Sequence, residues 1–229
     1  MRTVLALIVL AVGVFIGCSP ARSASQSSQQ IATTNSQEIS SSPPSPTVQE
    51  KQPCPFKISE APILKGLKLG MTPDEVLKVF PGSKDDPDVR SQLSQPPTEF
   101  GATRLSIRPE RYENKADFRG ISLITFSTLD GRVSTIALNY RGPQFSHVDE
   151  FITKFVENTN LPGADQWEPF VGQDTQLKTL TCAEFSLRLY AGGEGGSQNY
   201  VLIEDLEAGK KLKERKRKAR EQASPTPNP

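Results

Sequence analysis

The chain is predicted to be α+β: two pseudo-repeated α-β-β-β units forming one antiparallel sheet with helices on one face. Three observations predict this. Two stretches carry helix-start signals, "MTPDEV" at 71–76 and "SHVDEF" at 146–151. Each is followed by alternating apolar and polar residues, the period of a half-buried strand. The two helical stretches also resemble each other. "DEVLKVFPG" (74–82) and "DEFITKFVENTNLPG" (149–163) both run acid-acid-apolar-apolar, then show a lysine and an aromatic, and close on Pro-Gly.

In the first unit Thr72 is placed as an N-cap and Pro73 as the first helical residue, where a missing N–H costs nothing. Glu75 completes a capping box with Thr72, and Met71 and Val76 take the two positions of a hydrophobic staple. Asp74 and Glu75 oppose the positive end of the helix dipole. Pro81-Gly82 stops the helix, and residues 83–101 read as a long loop. Its acids "DDPD" (85–88) lack the alternating spacing and glycine of a calcium loop and are taken as solvated. "ATRLSIR" then places Leu105 and Ile107 in alternation. "GISLITFSTLDGRVSTIALNY" reads as a hairpin turning at Asp130-Gly131, with Ile124 and Phe126 on the side of Ile136, Leu138 and Tyr140.

In the second unit Ser146 and Asp149 form another capping box, and Val148, Phe151, Ile152 and Phe155 make one apolar stripe. A short strand is expected around Trp167–Val171. "LKTLTCAEFSLRLY" reads as a single strand with Thr181, Ala183, Phe185, Leu187 and Leu189 on one face. "AGGEGG" is its turn and "QNYVLIEDL" the return strand.

The ends bound where the protein works. Arg2 and the apolar run Val4 to Ile16 read as a secretory signal peptide, too short to span a membrane as a helix. The run closes on Gly17-Cys18-Ser19, which resembles the lipobox of bacterial lipoproteins. That resemblance implies cleavage after residue 17 and lipidation of Cys18, with Ser19 favouring the outer membrane. Cleavage after Ala21 or Ser23 would give a soluble secreted protein instead. The lipoprotein is preferred because a lone cysteine closing an apolar segment has no other motive. Residues 18–53 collapse to Ser, Gln, Thr, Ala and Pro, which cannot bury enough surface to offset ordering entropy. They read as a disordered tether of about 35 residues with an r.m.s. reach of roughly 30–35 Å. Residues 54–209 make a single α+β domain.

In an exported chain Cys54 and Cys182 are the two cysteines left, and an even pair in an oxidising compartment is most simply a disulfide. It would close a loop of about 127 residues and contribute roughly 4–5 kcal/mol in the chain-entropy model. Strand parity puts Cys182 opposite Phe185. The segment holding Phe56, Ile58, Leu64 and Leu67 would therefore be stapled across the helix-free face of the sheet.

Charge is near neutral, formally +1, but unevenly spread. Residues 210–221, "KKLKERKRKARE", carry +6 over a mildly acidic body. Lys210, Lys211, Lys213, Arg215, Lys216, Arg217, Lys218 and Arg220 are candidate contacts for anionic lipid or wall polymer. The bland alternative is a solvated helical extension with weak pairs Glu214–Lys218 and Arg217–Glu221, followed by a structureless tail. Nucleic acid is disfavoured by the export signal and by the absence of interleaved aromatics.

"LKLGMTPDEVLKVFPG", followed by antiparallel strands in a chain with a lipobox, resembles the SmpA/OmlA (BamE-like) outer-membrane lipoproteins. The match rests on Gly70, Met71, Thr72, Val76 and Gly82. It is also similar to the β-lactamase inhibitor protein fold, with two tandem copies of such a unit. The resemblance implies helices on an antiparallel sheet and work through protein surfaces without catalysis. The Phe-Pro-Gly helix end and the 83–101 loop depart from the family, so no site residue is carried over.

No chemistry stands out beside this. His147, the single histidine, sits at a helix start, and sequence adjacency to Ser146 supplies no nucleophile–base geometry. "GGEGG" (192–196) lacks the strand-to-helix setting of a phosphate loop. No metal or cofactor is expected, and no enzyme. The expected function is a protein-binding accessory or scaffold domain anchored in the cell envelope, with envelope proteins as partners and the outer membrane, facing the periplasm, as its place. The rivals are a secreted inhibitor or small-ligand-binding domain using the sheet face or Gly-rich turn, and a hydrolase with an unrecognised site.

Overall fold

The computed structural model describes residues 54–142, 145–170, 176–192 and 198–223. The signal segment, Cys18, the tether, most of the Gly-rich turn and the last six residues lie outside them. The described chain is α+β, built on a seven-stranded antiparallel sheet with four α-helices. In chain order these are α1 (Pro73–Lys78), α2 (Pro87–Leu93), β1 (Ala102–Ile107), β2 (Ile121–Leu129), β3 (Arg132–Tyr140), α3 (Val148–Val156), β4 (Glu168–Pro169), β5 (Leu177–Thr181), β6 (Phe185–Gly192), β7 (Gln198–Asp205) and α4 (Leu206–Ala223).

The capping box at α1 forms as the residues dictate. Thr72 Oγ1 accepts from the Glu75 N–H at 3.3 Å, and the Glu75 carboxylate accepts from the Thr72 N–H at 2.7 Å. Gly82, at φ +84°, turns the chain out of the helix in a conformation that disfavours a Cβ. The loop expected after it is a second helix. In "DDPD", Asp86 is an N-cap accepting from the Asp88 N–H at 2.8 Å, and Pro87 opens α2. This is the arrangement of Thr72-Pro73 with a different cap. Asp86 also accepts from Tyr112 Oη at 3.0 Å.

At α3 the expected Ser146–Asp149 box is absent. His147 is the N-cap residue without a side-chain cap bond, and Gln176 Oε1 accepts from the first helical N–H, Val148, at 3.0 Å. Asp149 is drawn instead to Lys178 on β5. A partner from a distant strand has replaced the local one.

The sheet runs β1-β2-β3-β7-β6-β5-β4, with β3 and β7 paired at its centre. Asp130 (φ +51°) and Gly131 (φ +77°) form the two-residue turn between β2 and β3. Ile124 pairs with Leu138 and Phe126 with Ile136, all buried, as the alternation requires. The inward row continues through Val201 and Ile203 on β7 and Phe185, Leu187 and Leu189 on β6. Val76, Leu77, Val89, Val148, Phe151 and Ile152 of α1–α3 join it in one cluster. Each such side chain stabilises by about 1.5–3 kcal/mol relative to exposure.

Two expectations fail together at 177–190. The stretch is two strands, because the chain turns back at residues 182–184 and Thr181 pairs with Ser186. Parity counted through that turn is meaningless, so Cys182 lies in the same cluster as Phe185 rather than opposite it. Cys54 and Cys182 are disulfide-bonded with Cα atoms 4.4 Å apart. The segment they staple packs into the shared core, where Leu67 is fully buried and Leu64 nearly so, with Phe56 and Ile58 against it.

Both sheet edges are blunted. At β1, the Gln92 side-chain amide donates to the Ser106 carbonyl at 3.1 Å and accepts from the Ser106 N–H at 2.7 Å, imitating a further strand. Thr98 does the same for Ala102 through its backbone N–H and hydroxyl. The opposite edge, β4, is two residues long and contains Pro169.

Candidate functional site on the outer row of the sheet

Besides the blunted edges, the sheet presents a row of strand side chains pointing away from the core. Register assigns it. One rung runs Leu177, Tyr190, Tyr200, Asn139 across β5, β6, β7 and β3, and the next runs Thr179, Arg188, Leu202, Ala137. A third runs Thr181, Ser186, Glu204, Thr135. Leu177 is buried yet stands apart from the main core cluster, as expected of a residue on this side.

The β5–β7 part of this row is aromatic. The Tyr190 and Tyr200 rings lie 5.2 Å apart, tilted by 31°. Phe170, just after β4 and 40% exposed, lies under the Arg188 guanidinium, 5.8 Å from its centroid. Arg188 also reaches Glu204 at 3.4 Å, while its Nε is buried without a partner. Burial pushes the Tyr200 hydroxyl above its ordinary pKa, opposed by the nearby Arg188 charge. Flat aromatic rings lose little conformational entropy on contact, and together with arginine they are the side chains that dominate protein interfaces. Among the described residues of this row, the polar groups beside the rings include the Arg188–Glu204 pair and the tyrosine hydroxyls.

The residues singled out in the sequence are placed as follows. His147 is exposed at the start of α3. Asp74 and Glu75 are exposed at the start of α1, Asp74 bridging to Lys84 at 3.0 Å. Asp86 is tied to Tyr112 and Arg111 inside the fold. Burial raises its carboxyl pKa, but the Tyr112 hydroxyl, the Asp88 and Val89 N–H groups and Arg111 outweigh this and hold it below the ordinary value. The Tyr112 hydroxyl is pushed up to about 12, by burial and then by the Asp86 carboxylate. Gly192 ends β6, and 193–197 lie outside the described residues. Among the described residues no cluster of three or more His, Cys, Asp or Glu side chains is disposed to hold a metal.

The eight cations of the tail share α4, which begins directly after β7. Asp130 receives Lys211 at 2.6 Å and both Nη atoms of Arg215 at 2.8 and 2.9 Å. Arg215 also donates to the Phe100 carbonyl at 2.6 Å, and Lys216 lies over the Phe100 ring. Lys218 pairs with Glu214 and Arg217 with Glu221, each at 2.7 Å.

Phe170, Arg188, Tyr190 and Tyr200 escape a sequence reading aimed at chemistry. Their signal is the polar half of an alternation: aromatics and arginine stand where Leu187, Leu189, Val201 and Ile203 leave outward positions. No helix among the described residues is long and apolar enough to cross a membrane. No family model, no curated protein and no solved structure matches the chain.

Proposed function

We propose that the protein is a non-enzymatic, lipid-anchored envelope protein whose domain binds other envelope proteins as an accessory or scaffold, through the outer row around Phe170 and Tyr200. The observation that carries this is the half-exposed Phe170–Arg188–Tyr190–Tyr200 patch on a sheet whose edges are blunted. A sheet with blunted edges disfavours strand addition and offers its face to partners.

Finer features fit the same reading. With α2 inserted before β1 and the two-residue β4 before β5, the chain order still suits two copies of one α-β-β-β unit, α1–β1–β2–β3 and α3–β5–β6–β7, joined at β3–β7 with α1 and α3 on one face. The Gly17-Cys18 motif suits anchoring at the outer membrane. A secreted inhibitor or small-ligand-binding domain using the same patch is the alternative.

The test is crosslinking in intact envelopes followed by recovery of the protein, comparing wild type with Phe170→Ala/Tyr200→Ala. Partners that vanish only from the variant support the reading. The same partners from both, or none from either, would reject it. Fatty-acid labelling of wild type against Cys18→Ala, with fractionation, tests the anchor separately.

A further inference from the structure

We infer that α4 is a two-sided arm, latched to the fold through Asp130 on one side and laid against an anionic phospholipid surface by its opposite row of cations. The helix divides cleanly by exposure. Ala208, Leu212, Arg215 and Ala219 are half-buried at the i, i+4, i+7, i+11 spacing of one helical stripe. Lys210, Lys213, Arg217 and Arg220, at i, i+3, i+7, i+10 on the far side, are exposed. So the cations of this helix have two different jobs.

Lys211 and Arg215 face the fold, Arg215 half-buried and Lys211 still exposed. Asp130 holds both, and Gly101 makes the space: a Cβ there would come within 2.7 Å of the Asp130 carboxylate and 2.9 Å of Arg215. With the latch on one side of the helix, the other row faces away from the fold. In that row Arg217 pairs with the exposed Glu221, and exposed pairs hold little of a charge back from a surface.

The occupant follows from composition and position. The helix has two leucines, Leu206 and Leu212, both half-buried, so the outer row has nothing to insert into hydrocarbon and acts by charge alone. It has no aromatic to stack on bases, which disfavours a nucleic-acid partner. Its place is the end of the sheet where the described chain begins. Glu184, in the turn beside Cys182, accepts from Leu206 N–H with its carbonyl and from Ile58 N–H with its carboxylate. Cys54, bonded to Cys182 next to Glu184, is thus near the start of α4, and this inference rests on the Cys18 anchor proposed above. A weak polybasic contact becomes effective when an anchor already confines it to the membrane surface.

The test uses the full chain and phosphatidylcholine vesicles with and without phosphatidylglycerol, reading the ratio of the two affinities so that the apolar N-terminal segment contributes equally to both. Lys210→Gln/Lys213→Gln/Arg217→Gln is expected to lower the preference for anionic vesicles by about fivefold per cation, roughly a hundredfold in all. Lys211→Gln/Arg215→Gln, which removes cations from the latched side, is expected to leave it within about twofold. Three results would overturn the proposal: no anionic preference in the wild type, an unchanged preference in the outer-row variant, or equal loss per charge in both variants. Competition by a single-stranded oligonucleotide at the level of the anionic vesicles would assign the row to nucleic acid and also overturn it.

Discussion

Asp130 does two things at once: it takes the left-handed position of a hairpin turn, and its carboxylate receives three charge-assisted hydrogen bonds from α4. Arg215 and then Lys211 hold its pKa far below the ordinary carboxylate value. A depressed folded pKa gives stability that is fully present above the unfolded value of about 4 and is lost as pH falls through the folded one. Asp130→Asn is therefore expected to be less stable than wild type near neutrality and to show a shallower loss on acidification, measured by denaturant melts from pH 7 downward. Glu75, whose carboxyl is lowered by the Thr72 N–H and then its hydroxyl, contributes in the same direction. Thr72→Ala removes the cap and is expected to cost about 1 kcal/mol in the same melts. Thr72 and Glu75 were legible in the sequence because their partners are three residues away. The Asp130 partners lie 81 and 85 residues further along, at a distance no local pattern encodes.

At the scale of elements, α1 and α2 begin with the same cap-proline arrangement, yet only the first reads easily as a helix. A threonine before proline invites a cap, whereas a run of acids suggests a solvated loop until Tyr112 and Arg111 are seen to converge on it. The disulfide behaves similarly: its pairing was legible from cysteine number, its placement was not, because the β5–β6 turn resets strand parity. Reduction is expected to cost about 2–5 kcal/mol. Since Leu64 and Leu67 are buried in the common core, reduction should speed hydrogen exchange in 54–61 and leave the amides from Leu64 onward protected. Exchange that opens the whole of 54–71 would show that the staple, and not the core, holds that segment. Gln92→Ala, which strips the imitation strand from Ser106, is expected to cost about 1 kcal/mol, read by thermal or denaturant unfolding.

Across the described residues one core cluster packs on one sheet, fed by α1–α3 and by the segment after Cys54 together. Side chains at its centre, such as the fully buried Phe126 and Leu187, are shared by both halves of the sheet's inward row. Phe126→Ala is expected to destabilise by about 3–5 kcal/mol. It should lower the single unfolding transition as a unit, with no separate melting of β5–β7, a result that calorimetry resolves.

The sequence by itself determined the α+β class, the capped α1, the Asp-Gly hairpin and the pairing of Cys54 with Cys182. Each of these rests on neighbours within a few residues or, for the cysteines, on a count that leaves one pair once Cys18 is set aside with the signal segment. The tertiary structure alone decided which face the disulfide serves, what blunts the sheet edges, which aromatics share the outer row and which cations of α4 are already bound. Those are contacts between segments tens of residues apart, and only the packing of the apolar core brings them together.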